Sequence, residues 1–266
     1  MREKITAARG AVRRAVRLLG QRGPAGVARR LLERIVWRGD AAAVSDPERA
    51  AAEDFDRRYG VETAGVEGEH LNLASVAGRN WRDGVAYQGA RRASLALIDA
   101  IAPAHAGSTF VDVGSGKGKV LFHAANHPFR RIVGVEYSAR LHAAAEENIA
   151  RYRNPRRRCG RIESVCADAA EFEFPPETGL VYLFNPFGRA VLERVAANLV
   201  DSLRREPRQI AVLYCNALHA DVFRSAGFRE TARWSGEFES VLIEPAAPLR
   251  GADSISHRGA PASGTA

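Results

Sequence analysis

Two carboxylates and a run of glycines carry the chemistry that can be read from this sequence. Asp112 lies in Phe110-Val-Asp-Val-Gly-Ser-Gly-Lys-Gly-Lys119, two residues before Gly114, and a second acid, Glu136, closes Ile132-Val-Gly-Val-Glu136. Glycines at 114, 116 and 118 permit positive φ and leave no Cβ between the backbone and a ligand. An acid some 20 residues beyond such a turn is placed to accept hydrogen bonds from ribose hydroxyls. The pattern reads as a nucleoside-binding βαβ unit.

The elements that must position these groups are legible from hydrophobic periodicity. Thr109 to Val113 is short, β-branched and bounded by glycine, as a buried parallel strand would be, and Lys117 to His127 carries apolar residues at helical spacing. The glycines then occupy a strand-to-helix turn, where a helix N-terminus offers unpaired N–H groups. Downstream the pattern predicts strand 132–136, helix 138–150, strand 162–166, strand 180–184, helix 188–204, strand 209–214, helix 217–226, and strands 228–234 and 239–243. Upstream, a helix is expected over 90–101. This alternation predicts a mostly parallel sheet with helices on both faces, closed by an antiparallel hairpin, with ligands at the C-terminal ends of the strands.

Three ligands compete for the turn. A P-loop would need glycine where Val113 stands and a hydroxyl where Val120 stands, and both are missing. A dinucleotide turn is spaced G-x-G-x-x-G, whereas Gly114, Gly116 and Gly118 are spaced G-x-G-x-G, and Asp112 would face a pyrophosphate with a carboxylate. S-adenosylmethionine brings a cationic sulfonium and an ammonium group, which a carboxylate suits.

Val111-Asp-Val-Gly-Ser-Gly-Lys-Gly118 resembles motif I of the class I S-adenosylmethionine-dependent methyltransferases, and the later motifs follow in order. Glu136 matches the family's ribose acid. Asp168, in Val165-Cys-Ala-Asp168-Ala, matches the acid that meets the adenine amino group, and Leu183-Phe-Asn185-Pro-Phe-Gly188 matches the motif after the fourth strand. The likeness runs from about Phe55 to Ile243 and is nearer to a bacterial group reading GSGKG, GVE and FNPF. That group is more distantly similar to the non-SET protein lysine methyltransferases. The resemblance implies a Rossmann-like seven-stranded α/β methyltransferase sheet with an N-terminal helical extension, and S-adenosyl-L-methionine as cofactor. It also implies a cofactor pocket of Asp112, Gly114, Ser115, Gly116, Gly118, Glu136, Tyr137, Asp168 and Ala169. Tyr87 would close over it from a cap in which Tyr87-Gln-Gly89 replaces the group's Y-x-P, with Arg91 and Arg92 flanking the entrance.

For the reaction, the resemblance points to Asn185 as the residue touching the acceptor. Its side-chain carbonyl and the carbonyl of Pro186 could orient a neutral amine toward the methyl group. Asn185-Pro186-Phe187 lacks the second proline of the [DN]-P-P-[YF] signature of amino-methylating enzymes. The expected function is methyl transfer to an acceptor nitrogen, on a protein lysine or a small metabolite. The alternative is a non-catalytic cofactor-binding module that recruits nucleic acid, membrane or a partner. An NAD-linked oxidoreductase is a weaker third reading.

Charge bears on that alternative. Residues 1–40 hold eleven Lys or Arg against three acids, which accounts for the whole formal charge of +8. Ile5, Ala8, Val12, Val16 and Leu19, then Val27, Leu31, Leu32, Ile35 and Val36, recur at helical spacing, so residues 1–53 are expected to form a basic amphipathic arm. Such an arm offers a surface to nucleic acid or an anionic membrane, but packing on its own domain or on a second copy is the plainer reading. The arginines of Arg151 to Arg158 read as a solvated loop. The catalytic domain is expected over 54–244 and a disordered tail over 245–266. Cys159, Cys166 and Cys215 have no CxxC pairing, so neither a disulfide framework nor a metal site is expected from them. With no apolar run of 18 residues, a cytoplasmic protein is expected.

Overall fold

The computed structural model describes residues 46–64, 66–67, 87–88 and 90–247. The expected helices of residues 1–45, Trp81 and the tail beyond residue 247 lie outside the described residues.

Seven strands form one sheet: β3 (Thr109–Val113), β4 (Arg131–Glu136), β5 (Arg161–Cys166), β6 (Thr178–Phe184), β7 (Ala211–Cys215), β8 (Phe228–Trp234) and β9 (Ser240–Pro245). Their order is β5-β4-β3-β6-β7-β9-β8, parallel from β5 to β7, with β9 antiparallel to both β7 and β8. The direction of strand order reverses at β3, between β4 and β6, and the C-terminal ends of those strands are where open α/β sheets place their ligand crevice. This is the seven-stranded, Rossmann-like sheet expected from the sequence. A separate pair, β1 (Val66–Glu67) and β2 (Tyr87–Gln88), is antiparallel and sets Glu67 opposite Tyr87.

Period-two alternation divides the core between the two faces of the sheet. Val111, Val113, Val133, Val135, Val181 and Leu183 point to the face covered by α5 (Arg189–Arg205) and α6 (Ala220–Ser225). The alternate residues Phe110, Ile132, Leu180 and Tyr182 face α2 (Arg92–Ile101) and α3 (Lys119–Ala124). Helix α4 (Ala139–Arg151) follows β4 and packs beside β5. By the same alternation Asp112, Gly134 and Glu136 share the α2/α3 face.

Ahead of the sheet, α1 (Asp46–Tyr59) runs through the expected arm boundary at residue 54. It docks by aromatic contacts: Phe55 against Tyr59, and Tyr59 against Tyr152, which stacks on Phe122.

Most elements fall within a residue or two of their expected bounds. Two helices are shorter. The helix expected over 117–127 is confined to Lys119–Ala124, because Gly116 and Gly118 take positive φ before it and turns carry the chain after it. The helix expected from 217 begins at Ala220, because Asn216 at φ 49° breaks the chain direction at the end of β7. No helix of the described residues is long and apolar enough to cross a membrane.

Candidate active site

The four sequence motifs end four neighbouring strands. Asp112 is the penultimate residue of β3 and the glycine turn follows it, Glu136 and Tyr137 close β4, Asp168 and Ala169 follow β5, and Asn185 follows β6. The fold thus brings these candidates to one edge of the sheet.

The glycine turn is held by its neighbours. The N–H groups of Gly114 and Ser115 both donate to the Val135 carbonyl, at 2.8 and 3.1 Å, and Gly118 N donates to Ser115 O at 2.9 Å. Gly114 takes φ +90°, and a Cβ there would lie 2.6 Å from Pro186 Cβ. Glycine at 114 therefore brings the β3 turn against the Asn185-Pro186-Phe187 loop. Across the sheet, a Cβ on Gly134 would meet Ser115 Oγ at 2.6 Å and Leu121 Cδ1 at 2.8 Å, so this strand glycine makes room for the turn.

Glu136 ties the turn to its own strand. Its Oε2 accepts from Gly116 N at 2.8 Å and its Oε1 from Ser138 N at 2.9 Å. Ser138 in turn caps α4, its hydroxyl accepting from Leu141 N at 3.4 Å. Glu136 and Asp112 are both buried. Burial pushes the Asp112 carboxyl well above its ordinary value, reinforced by the neighbouring Glu136. Burial also raises Glu136, and the backbone N–H groups of Ser138, Gly116 and Tyr137 oppose that shift. Two acids buried side by side are costly to ionise unless positive charge or donors reach them.

Several observations fit an adenosyl ligand. The hydroxyls of Ser115 and Tyr137 are buried without a hydrogen-bond partner among the described residues. Buried hydroxyls of this kind call for a polar partner. Asp168 is buried, with Oδ1 accepting from Ala170 N at 2.9 Å. A ligand on the turn would find donors and acceptors on three strands, with a cation favoured beside Asp112. Of the cap, the structure describes only the backbone pairing of Tyr87 with Glu67. The proposed closure by the Tyr87 side chain lies outside the described residues.

At β6, Asn185 adopts φ 42°, a left-handed conformation that asparagine tolerates better than most residues. Its side chain is buried, and Oδ1 accepts from the Tyr214 hydroxyl at 2.8 Å. Tyr214, on β7, is itself fully buried, so it orients Asn185 rather than meeting an acceptor. One lone pair of Oδ1 is engaged and one remains. Beside it, Phe184 packs edge-on against Phe238 of the β8–β9 connection. The preceding residue of that connection, Glu237, pairs with Arg91, so Arg91 braces the hairpin next to the crevice.

Residues from afar also support the turn. Asn148 of α4 donates from Nδ2 to Lys117 O at 3.1 Å and to Glu62 O at 3.0 Å, while its Oδ1 accepts from Glu62 N at 2.8 Å. One buried amide thereby stitches the segment after α1 to the glycine turn. Asp56 holds the same segment, accepting from Thr63 N, Thr63 Oγ1 and Ala64 N, each at 2.7 Å. Lys119 reaches back over Phe55, with Nζ 5.7 Å from the ring centroid. Burial lowers its pKa, while Asp56 and Glu48 pull it up. The expected solvated loop is present, with Arg153, Arg156, Arg157 and Arg158 exposed.

Of these supports, Gly134 had a sequence signal, a glycine inside a β-branched strand. Asn148 had none, because its partner Glu62 stands 86 residues away.

A family model described as "Methyltransferase domain" matches residues 110–206. No curated protein matches the sequence. Among solved structures, the chain is similar to a TehB-like SAM-dependent methyltransferase from Corynebacterium glutamicum, at 15% identity and TM-score 0.42, covering 57% of this chain and 86% of that one. It is similar to the N-methyltransferase NodS from Bradyrhizobium japonicum, in complex with S-adenosyl-L-homocysteine, at 11% identity and TM-score 0.44, covering 59% and 87%. A ribosomal protein L11 methylase from Lactobacillus delbrueckii matches at 17% identity and TM-score 0.43, covering 57% and 78%.

Proposed function

We propose that this protein is an S-adenosylmethionine-dependent methyltransferase acting on an acceptor nitrogen. The observation that carries the reading is the pair of buried carboxyls, Asp112 and Glu136, on one sheet face around a glycine turn. The methyltransferase domain match over residues 110–206 supports it. S-adenosylmethionine, when bound, supplies an activated methyl group, so no covalent enzyme intermediate is needed.

The chain's own part is to bind, orient and exclude water. Asp112 would face the positive charge of the cofactor, and Glu136 would accept from ribose hydroxyls while still holding Gly116. Asp168 would meet the adenine amino group. Asn185 Oδ1 and the Pro186 carbonyl would accept the N–H bonds of a neutral amine, turning its lone pair toward the methyl group. Tyr214 fixes the Asn185 amide for that task. An amine of lysine type, with a reference pKa of ~10.4, would have to lose its proton to water before reacting. A protein lysine and a small amine remain the two acceptor classes within this proposal. The three cysteines are free thiols, which goes with the reducing cytoplasm.

The test is transfer of a labelled methyl group from S-adenosylmethionine to lysine peptides and to small amines, with Asn185→Gly beside the wild type. Glycine accepts the positive φ at 185 and removes the amide. The proposal expects labelled amine from the wild type, and from the variant a turnover lower by at least ~tenfold with unchanged cofactor affinity. Label on oxygen or carbon only, or a variant as active as the wild type, would overturn the nitrogen assignment.

A further inference from the structure

Away from the crevice, two histidines converge on one carboxylate oxygen. In His123-Ala-Ala-Asn-His127, His123 stands near the end of α3 and His127 in the turn that follows. Their Nε2 atoms lie 2.9 and 2.8 Å from the same Oδ1 of Asp99, on α2. All three candidate ligand atoms fall within 4.8 Å of one another. We propose that Asp99, His123 and His127 form a binding site for a divalent transition-metal cation.

The chemistry of the contacts supports this. An imidazole nitrogen without a proton presents a lone pair, and so does a carboxylate oxygen, so each short contact needs positive charge between the two atoms. Either both rings carry a proton at Nε2, or one cation serves all three groups. Two neutral imidazoles and a carboxylate are a donor set for Zn²⁺ and its neighbours, whereas Ca²⁺ and Mg²⁺ take oxygen ligands. An ion with bonds of ~2.1 Å at right angles gives ligand–ligand edges of about 3.0 Å, close to the two observed. A tetrahedral site would open each edge by about half an ångström. Asp99 can give that much, since its side chain is 51% exposed.

The site is also held in place. His127 N donates to Ala124 O at 2.9 Å, and Asn126 donates to His123 O from both its backbone and its side chain. Arg158 N clamps Ala125 O at 2.8 Å, and the His127 ring meets Phe129 edge-on. The histidine side chains are 17% and 14% exposed, so an ion can reach them without unfolding α3. With three protein ligands, the remaining positions would be filled by water. The ion would join α2 to the end of α3.

The experiment is calorimetric titration of the chelator-treated full chain with Zn²⁺, paired with the visible spectrum of its Co²⁺ form. Asp99→Asn and His127→Gln are titrated in parallel, with circular dichroism to confirm folding. The expected result is one equivalent bound by the wild type, with affinity at least tenfold weaker in both variants, and cobalt bands that shift or vanish with it. Asp99→Asn changes a half-exposed side chain only, so a folded variant is available even if His127→Gln is unstable. No binding by the wild type, or folded variants that bind as tightly, would show a hydrogen-bonded triad and overturn the proposal.

Discussion

At the scale of single residues, Asp112 sets function against stability. Its folded pKa is raised above the ordinary 3.8. The contribution of this group to folding is therefore fully present below 3.8 and is lost as pH rises through the folded value. A cationic ligand reverses the preference, because it favours the carboxylate. Affinity for S-adenosylmethionine should rise with pH through that window, with protons released on binding, which titrations in buffers of different ionisation enthalpy would measure. Asp112→Asn should melt higher than the wild type while binding cofactor about 1.5–3 kcal/mol more weakly. An unchanged affinity would remove Asp112 from the pocket. Tyr214 offers a second case. Tyr214→Phe keeps the ring against Phe223 and deletes the hydroxyl that donates to Asn185. It should cost about 1 kcal/mol of stability and lower kcat more than it raises KM, as steady-state kinetics would show. The acids and glycines were legible in the sequence because their types and spacing are the chemistry. The bond from Tyr214 to Asn185 was not, because it depends on β6 and β7 being neighbours in parallel register.

Among the elements, the β3 turn depends on what the neighbouring strand leaves out. Gly134→Ala would push a methyl into Ser115 and Leu121 from a position that is otherwise ordinary strand. A loss of about 1–3 kcal/mol in denaturant unfolding is expected. Cofactor affinity should weaken as well, since the displaced residue belongs to the glycine turn. Unaltered stability and binding would mean that the turn yields without consequence. Strand limits could be read closely because short apolar runs are punctuated by glycine and polar residues, and Thr109–Val113 was bounded as observed. Helix ends were less readable. The lysines at 117 and 119 both suit a helix, yet Gly118 at φ +92° assigns Lys117 to the turn and Lys119 to the helix. The clamp of Asn148 on residue 62 joins elements that no local pattern connects.

Considered whole, the molecule puts separate tasks on separate parts of one sheet. The crevice lies at the C-terminal ends of β3 to β6, while the histidine pair sits at the end of α3, against α2. The mostly parallel sheet and its antiparallel closing hairpin followed from the alternation of elements, but the histidine cluster did not. His123 and His127 are four apart in sequence, yet their third partner is 24 residues before the first of them. If the two places act independently, stabilisation by Zn²⁺ and by S-adenosylhomocysteine should add in thermal melts. Each ligand at roughly 100 times its Kd would contribute about 2.7 kcal/mol. The most direct test of the account remains calorimetric titration of the full chain with S-adenosylhomocysteine, with Asp112→Asn and Glu136→Gln alongside. Micromolar binding by the wild type and a loss of at least about tenfold in each variant are expected. A folded wild type that takes up no ligand, or folded variants that bind as it does, would contradict that expectation.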